Sequence, residues 1–558
     1  MSGRNTRREA LGVAWVPVQA ALIFTVALAL RLAAAYVLGD LPISRTPQLD
    51  SAVYLSWARE LLNNPFFWPE YPEHAPGYPM FLAAVLSVMD SLTTVRVVQA
   101  VLGSIACVMT ARIAARTLMP LAFLPAGLLH AAYGPSIYLD TAILAEGLLV
   151  FLLVCSLDLA TAAGRSRPRW LMTGLVVGLA TVVRPTAIVL VPAYVVVLWR
   201  AERRHVATLA AALAGGAAIV IAPVVIQNWR VTGVPLVQAY AGLNVYLGNR
   251  PSGNGMASAR LGGEWDALEG EASRAGTPRN DQDRYYLTKT FDEVAAQPLT
   301  YLRLLGSKII WTLQDEELRD THSFYFFASE MPLLQWLPSF GVILAFAAGG
   351  LAAAITRERW WLLAYFAAML LTVIFLVVGT RYRIVLTPPL LALSGAGVAA
   401  LFAHARVRNV RRAGMLAALV AVVGGLSEWR RDDAARNLAE EWAFTGLALL
   451  QERKFEQAEA AYREAIGRDE SSFAWDGLGL ALQRRELRRS AREAFERAVR
   501  INPSNATAWL HLGLAHEFLG NPRAAIAAYQ KALEITPQRA DAHELLETAR
   551  RRYGASLK

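Results

Sequence analysis

The sequence contains few cysteines and few charged residues. Its 558 residues include two cysteines, Cys107 and Cys155, and both lie inside apolar runs. This pattern excludes a disulfide framework and the usual cysteine-rich metal clusters. Charged residues make up 18% of the chain and hydrophobic residues 55%, far from the balance of a soluble globular protein. The excess of apolar residues therefore predicts a protein embedded in a membrane.

The apolar residues are distributed unevenly along the chain. Residues 14–228 and 333–427 are dominated by Ala, Leu, Val and Ile, whereas residues 428–558 are rich in charge. This contrast predicts a membrane domain over 1–427 and a separate domain over 428–558. The net charge is +10, but the basic residues gather in short loops, which indicates membrane topology and no nucleic-acid partner. Such loops are 164–169, 200–205 and 406–412.

Eleven apolar stretches are predicted to cross the bilayer, which takes about 20 residues for a helix. They are residues 14–38, 94–115, 118–136, 139–161, 170–183, 185–200, 206–226, 333–355, 359–379, 384–404 and 411–427. With a cytoplasmic N-terminus, the basic loops all fall on the cytoplasmic side, provided that residues 79–89 do not cross. Residues 39–78 and 228–332 are then outer loops, and the C-terminal domain is periplasmic or lumenal. Arg430 and Arg431 oppose this orientation, and Asp432 and Asp433 offset them in part.

The C-terminal domain contains an internal repeat with a period of 34 residues. The recurring pairs are Trp475 and Trp509, Gly479 and Gly513, Ala481 and Ala515, Phe495 and Tyr529, Ala498 and Ala532, and Pro503 and Pro537. This pattern resembles the tetratricopeptide repeat. We predict repeats over 437–470, 471–504 and 505–538 and a capping helix over 541–553. The predicted fold is therefore all-α, with a transmembrane bundle followed by an α-solenoid that docks a protein or peptide.

Ionisable residues at membrane depth are costly and therefore mark candidate functional positions. In the predicted topology three carboxylates lie on the outer side. Asp50 shares a helical face with Tyr54 in the first outer loop, although capping of a helix that begins at Ser51 explains it equally well. Asp140 is predicted at a helix start, with Glu146 about two turns further on. A packing or trafficking role is the alternative for this second pair.

Three arginines are also predicted at the outer membrane surface. Arg184 lies in VVRPTA between two short spans, and Arg381 and Arg383 lie in GTRYRIVLTPP. Outward-facing arginines run against the positive-inside tendency, and guanidinium groups bind phosphate oxygens in pairs. The set therefore predicts an anionic ligand. The alternative for each arginine alone is a side chain that reaches up to the lipid headgroups.

Four segments together resemble the GT-C superfamily of glycosyltransferases. They are the first outer loop with HAPGYP at 74–79, VVRPTA, residues 228–251 and RYRIVLTPP. The most similar branch is the dolichyl-phosphate-mannose-protein mannosyltransferase-like one found in bacteria, and the resemblance covers about residues 14–404. With its repeats, the chain is also similar to the transmembrane-and-repeat O-mannosyltransferases. The resemblance implies an inverting transferase that moves a sugar from a polyprenyl-phosphate donor to a hydroxyl of a protein, lipid or glycan.

The resemblance also implies roles for individual residues. Asp50 would be the catalytic base, although many relatives carry two adjacent acids where this chain has Asp50 and Ser51. Glu146 or Asp140 would be the second acidic position. The arginines that would hold the lipid phosphate are Arg184, Arg381 and Arg383, and the pocket residues would be Tyr54, His74, Tyr78, Asn228, Asn244 and Asn249. No metal or other cofactor is predicted, although some members of the superfamily bind a divalent cation.

Two alternatives to a transferase remain open from the sequence. One is a non-catalytic scaffold that anchors the repeat domain for assembly of the cell envelope. The other is a polysaccharide ligase or a transporter, but carriers usually show two related halves, and residues 14–228 and 333–427 do not match each other. The Ala- and Arg-rich composition indicates a bacterial inner membrane, with the repeat domain on the periplasmic side.

Overall fold

The computed structural model describes residues 2–239, 241–251, 253, 255, 268, 271–272, 274–319, 322–428 and 437–553, with side chains from residue 16 onward. Within these ranges the chain is helical and contains no β-strand. The all-α prediction is therefore confirmed. Residues 430–433, whose charges bear on the predicted orientation, lie outside the described residues.

In the part of the chain that the structure describes, seven helical segments are long and apolar enough to cross a membrane. They are α1 (Ser2–Gly39), α5 (Leu92–Thr117), α8 (Ala145–Ala163), α11 (Val206–Thr232), Pro332–Ala353 with α16 (Phe340–Ala353), Thr380–Arg406 with α18 (Thr380–Arg383) and α19 (Thr387–Arg406), and α20 (Val410–Ser427). Shorter helices complete the bundle: α4 (Gly77–Leu86), α6 (Phe123–Ala131), α7 (Gly134–Thr141), α9 (Arg167–Val183), α10 (Leu190–Ala201) and α17 (Arg359–Phe375). The membrane-spanning architecture agrees with the prediction, whereas the number of eleven spans stays a prediction.

The helices of the bundle approach one another closely where small residues meet. A Cβ atom added at Gly174 of α9 would lie 2.0 Å from the carbonyl oxygen of Leu213 on α11. From the other side, a Cβ added at Gly216 would lie 2.3 Å from the oxygen of Leu171. Small residues at such crossings let membrane helices pack backbone to backbone. This close contact holds α9 in the bundle, although the helix has only 17 residues.

Two of the predicted spans are interrupted in the structure. Residues 118–136 and 139–161 were each expected to form one helix, but the chain forms α6, α7 and α8 with breaks between them. Pro135 stands in the first turn of α7 and starts a new helix there. Asp140 is consequently the last residue but one of α7, so the prediction that Asp140 begins a helix is wrong.

The two outer loops contain helices of their own. The first loop carries α2 (Pro42–Arg45) and α3 (Leu49–Asn63) and leads into α4, whose 10 residues are too few to cross the bilayer. The second loop carries α12 (Ala241–Asn249), α13 (Gln282–Ala296), α14 (Pro298–Leu313) and α15 (Phe324–Glu330).

The C-terminal domain consists of paired antiparallel helices. They are α21 (Ala439–Gln451), α22 (Phe455–Arg468), α23 (Ser472–Arg484), α24 (Arg488–Ile501), α25 (Ala506–Phe518), α26 (Pro522–Ile535) and α27 (Ala540–Tyr553). The residues that recur in the sequence form the crossings. A Cβ added at Gly479 would lie 2.5 Å from the ring of Phe495, and one at Gly513 would lie 2.4 Å from the ring of Tyr529. The repeat pattern is therefore a packing pattern.

The first repeat packs against the outer loops of the membrane domain. Glu452, just after α21, forms an ion pair with Arg45 of α2, with 3.0 Å between Oε1 and Nε. Near the other end of α21, the ring of Trp442 lies 6.0 Å from that of Phe326 in α15. The outer loops thus cover a surface on which another repeat would otherwise stack. The repeat domain consequently lies at the same end of the bundle as Asp50.

Candidate active site

The side chain of Asp50 faces an arginine that is 331 residues away in the sequence. Asp50 lies in the first turn of α3, whose N-cap is Gln48, and Gln48 makes no side-chain capping bond. The Nη1 atom of Arg381 donates to Oδ2 of Asp50 over 2.8 Å. This pairing answers the alternative raised by the sequence, because the Asp50 carboxylate is engaged by Arg381 across the molecule and α3 begins before Ser51.

A second carboxylate holds both site arginines. Glu146 lies in the first turn of α8, and its side chain is 1% exposed. Oε1 of Glu146 accepts a hydrogen bond from Nη2 of Arg184, the residue at which α9 ends, and lies 3.9 Å from Nε of Arg381. Within the described residues, the second oxygen of Glu146 is buried and has no hydrogen-bond partner. Glu146 therefore fixes the spacing of two guanidinium groups and retains one oxygen for a further contact.

Aromatic side chains enclose this group. The rings of Tyr54 and His74 are 4.8 Å apart, and Nε2 of His74 lies 3.8 Å from Oδ1 of Asp50. Both guanidinium groups lie over the ring of Tyr382, with the carbon of Arg184 at 5.2 Å and that of Arg381 at 5.7 Å. We call the whole set the outer cluster; its members are Asp50, Tyr54, His74, Glu146, Arg184, Arg381 and Tyr382.

The electrostatic environment keeps Asp50 ionised. Burial alone would raise the pKa of Asp50, but the positive charges around it, that of Arg381 foremost, outweigh this effect and lower the pKa below its usual value. Burial also lowers the pKa of His74, and the neighbouring arginines lower it further against the opposing effect of Asp50. Near neutral pH, Asp50 is consequently a carboxylate and His74 is uncharged. The side chains of Asp50 and His74 are 27% and 24% exposed, so a ligand can reach both.

Tyr78 lies under the cluster. Its ring is 5.1 Å from that of Tyr54, and its hydroxyl donates to Oε1 of Gln99 over 2.7 Å. Tyr78 is fully buried. It therefore supports Tyr54 from below and does not face an incoming ligand, unlike the pocket role that the sequence implied.

Asp140 and Arg383 do not join the outer cluster. Asp140 accepts a hydrogen bond from Nε of Arg31 in α1 over 2.7 Å, and both side chains are buried. Arg383 lies 2.7 Å from Glu317 and donates to the backbone oxygen of Gln314 over 2.6 Å, with its side chain 2% exposed. These buried pairs stabilise contacts between segments, because a buried charge needs its partner. The geometry therefore does not support a phosphate-binding Arg383 or a second catalytic acid at Asp140.

The three asparagines proposed as pocket residues differ in their placement. Asn228 accepts from Nε1 of Trp68 over 2.7 Å and donates to two backbone oxygens, so it ties the two outer loops together. Asn249 donates to the oxygen of Phe375 over 2.9 Å at the end of α17. Asn244 is half-buried on α12. Asn228 and Asn249 thus hold backbone in place.

Two charged residues that the sequence analysis passed over turn out to be central. Arg31 stands inside the apolar run of α1 and pairs with Asp140, and Glu317 pairs with Arg383. A charge within a membrane span is itself a signal, and Arg31 could have been found by it. Glu317 lies in the polar second outer loop, where no pattern distinguishes it from its neighbours. Among the described residues, no group of three or more His, Cys, Asp and Glu side chains is arranged to hold a metal ion.

Residues 73–227 match the family model for dolichyl-phosphate-mannose-protein mannosyltransferases. This segment, which is less than half of the chain, is similar to that family. It contains His74, Glu146 and Arg184 of the outer cluster, whereas Asp50 and Arg381 lie on either side of it. The match confirms the resemblance to this family that was predicted from the sequence, and it supports a membrane glycosyltransferase.

The C-terminal domain matches two tetratricopeptide-repeat models, over residues 442–472 and 477–540. The prediction of tetratricopeptide repeats is therefore confirmed, whereas the bounds of the individual repeats stay a prediction. No curated protein sequence matches the chain significantly.

Solved structures similar to parts of the chain fall into two groups. MamA matches with 26% identity over 22% of this chain and 72% of its own, with a TM-score of 0.20. The tetratricopeptide-repeat domain of OM64 from Arabidopsis matches with 23% identity over 20% and 95%, with a TM-score of 0.20. The oligosaccharyltransferase AglB from Archaeoglobus fulgidus, solved with an inhibitory peptide and a dolichol-phosphate, matches with 12% identity over 79% and 59%, with a TM-score of 0.44.

Proposed function

We propose that this protein transfers a sugar from a polyprenyl-phosphate donor to a hydroxyl group on the non-cytoplasmic face of a membrane. The observation that supports this most directly is the outer cluster, in which Asp50 meets Arg381 and Arg184. These residues come from the first outer loop and from the ends of two membrane helices. A lipid phosphate held at the membrane surface would present its sugar at this point.

Asp50 is the proposed base. Its lowered pKa makes it too weak to deprotonate an alcohol in advance, so the proton must move to the carboxylate while the acceptor oxygen bonds to the anomeric carbon. Such general-base assistance typically contributes about 10²- to 10⁴-fold to a rate. The partial exposure of Asp50 gives an acceptor hydroxyl access to it. Positioning of both substrates supplies a further large share of the acceleration.

Arg381 and Arg184 are the proposed phosphate-binding groups. When the bond between the sugar and the phosphate breaks, negative charge grows on the phosphate, and fixed guanidinium groups stabilise that charge. Arg381 donates from Nη1 to Asp50, and the planar guanidinium group is of the kind that binds phosphate oxygens in pairs. Glu146 keeps the two cations together against their mutual repulsion.

We further propose that the reaction needs no metal ion. The carboxylate at the second acidic position, Glu146, is paired with Arg184, so a permanent cation already balances its charge. The proposed setting is a bacterial inner membrane with the repeat domain in the periplasm. There the repeats would hold a protein partner or acceptor near the outer cluster, since the first repeat packs on the same loops.

The experiment that tests this proposal uses the purified full-length chain and a panel of polyprenyl-phosphate sugars. We expect one donor to be consumed and its lipid phosphate released. Asp50→Asn should reduce transfer by about 10²-fold or more, because the base is lost while the shape is kept. Asp40→Asn is the matched control, since Asp40 lies in the same outer loop with its side chain 84% exposed. Equal turnover by both variants would refute the role of Asp50 and favour the scaffold alternative.

A further inference from the structure

A short segment of the second outer loop touches both the turn that carries Arg381 and the repeat domain. We call residues 314–319 and 322–325 the strap. It follows α14 and enters α15, so it lies between the last two helices of the second outer loop. Glu317 and Leu318 contact the turn that carries Arg381. The contacts with the first repeat come from residues nearer α15: Arg319, His322 and Ser323.

One side of the strap holds α18, the single helical turn that contains Arg381. The backbone N–H of Thr380 donates to the oxygen of Leu318 over 3.1 Å, and Oγ1 of Thr380 donates to Oε2 of Glu317 over 2.8 Å. The same carboxylate oxygen lies 2.7 Å from Nη2 of Arg383. The strap thus binds Thr380, which precedes Arg381, and Arg383, which lies two residues after it. The position of the strap therefore sets the position from which Arg381 reaches Asp50.

The other side of the strap is held by the first repeat. Nη2 of Arg319 lies 2.5 Å from Glu440 and 3.1 Å from Glu441, and both acids begin α21. Oε1 of Glu441 also accepts from the backbone N–H of Ser323 over 2.8 Å. Glu441 is fully buried, so its charge depends on these partners.

The half-buried His322 closes the contact. Its ring lies 5.3 Å from that of Phe444 on α21, and burial lowers the pKa of His322 to about 3, so the ring is uncharged. Arg319 and Leu318 are adjacent in the chain, and a displacement of one necessarily moves the other. The contacts of Arg319 with α21 and of Leu318 with Thr380 are therefore mechanically linked.

We infer that Arg319 and Glu441 are positioning residues for Arg381, and that the docked first repeat is part of the phosphate-binding site. This inference rests on the proposed function of Arg381. It assigns the repeat domain a role beyond holding a partner, because loss of the Arg319–Glu441 contact releases the turn that carries the guanidinium group.

The test compares full-length variants for binding of undecaprenyl phosphate in detergent micelles and for hydrogen exchange at the Thr380 amide. In Glu441→Gln we expect affinity for the lipid phosphate to fall about five- to tenfold, a typical coupling between linked sites. Exchange at Thr380 should become faster, because its N–H is bonded to the strap. A domain that only recruits an acceptor would change neither quantity.

Two matched controls break ion pairs elsewhere in the repeat domain. Arg497→Ala removes a pair of 2.7 Å between the second repeat and Glu470 at the end of the first, and Lys531→Ala removes a pair of 2.6 Å with Glu534 in the third repeat. Both should bind the lipid phosphate as the wild type does. If Glu441→Gln does not fold, Glu440→Gln replaces it, because Glu440 is more exposed and shares Arg319.

The outcomes separate the inference from the proposed function. Absence of lipid-phosphate binding by the wild-type protein would overturn the proposed function, while the exchange of Thr380 would still report on the strap. Normal binding by the wild type together with unchanged affinity and unchanged exchange in Glu441→Gln would overturn the inference alone. Reduced affinity in the controls as well would also overturn it, since the effect would then be a general loss of stability.

Discussion

At the scale of single residues, the outer cluster matches each of its arginines with a carboxylate. Asp50 pairs with Arg381, and Glu146 pairs with Arg184. The pairs are not independent, since Glu146 also approaches Arg381. The carboxylates stabilise the two positive charges before a phosphate binds. Without such partners, a buried guanidinium group would be strongly unfavourable.

The pairing predicts how activity depends on pH. A carboxylate whose pKa is lowered in the folded state stabilises that state above its unfolded pKa of about 4, and the contribution is lost as the pH falls through the lower folded value. Asp50 should therefore stay ionised from about pH 7 down to about pH 5. An ordinary carboxylate, with a pKa of about 4, would begin to bind protons at the lower end of this range. We expect kcat/KM of His74→Gln, which lacks the other titrating group beside Asp50, to be flat over this range. A fall in that variant would show a raised pKa for Asp50 and contradict the ion pair.

The sequence could place Asp50, Glu146, Arg184 and Arg381 on one side of the membrane, because the positive-inside rule fixes sides. It could not choose between buried charges that bind a ligand and those that bind each other. Asp140 passes the same sequence criteria as Glu146, yet it pairs with Arg31 in the bundle. That distinction depends on which helices are neighbours, which periodicity alone does not reveal.

At the scale of helices, the repeat domain was predictable because the recurring residues are those that make the contacts. Glycine recurs at this position of the repeat because, at Gly479, the ring of Phe495 occupies the space that a side chain would need. The breaks among α6, α7 and α8 were not predictable to the same degree, because the residues on both sides of each break are apolar. An apolar run shows that a segment is buried without showing where its helix ends.

This packing predicts the effect of adding one methyl group. Gly479→Ala would bring a Cβ atom to within 2.5 Å of Phe495, and such overpacking typically costs about 1–3 kcal/mol. Gly467→Ala is the control, because a Cβ there has no neighbour within 4 Å and alanine favours a helix by about 0.5–1 kcal/mol. Hydrogen exchange of α23 and α24 in the full-length chain should increase in the first variant only. Equal exchange in both would contradict the close crossing.

At the scale of the whole molecule, the first repeat and the outer cluster share the same end of the bundle. The contacts that dock α21 come from both outer loops, through Arg45 in the first and Arg319 in the second. If the outer cluster acts on the non-cytoplasmic face, the repeat domain must lie there as well. The predicted topology and the packing of the domains thus require one another.

A labelling experiment tests this orientation. A cysteine at Ser471, between the first and second repeats, should react with a membrane-impermeant reagent in intact spheroplasts. Cys107 is buried and Cys155 half-buried in the bundle, so the wild-type protein is the control for background labelling. Labelling only after lysis would place the repeats in the cytoplasm and invert the whole arrangement.

The central claim is that Asp50 and Arg381 divide the reaction between acceptor and lipid phosphate, and binding of undecaprenyl phosphate to matched variants tests it most directly. Arg381→Ala should lose at least about tenfold in affinity, as charged hydrogen bonds of about 1.5–3 kcal/mol are removed. Asp50→Asn should bind the lipid phosphate at least as tightly as the wild type, because Arg381 is freed from its partner. Unchanged binding by Arg381→Ala, or loss of binding in Asp50→Asn, would contradict the account.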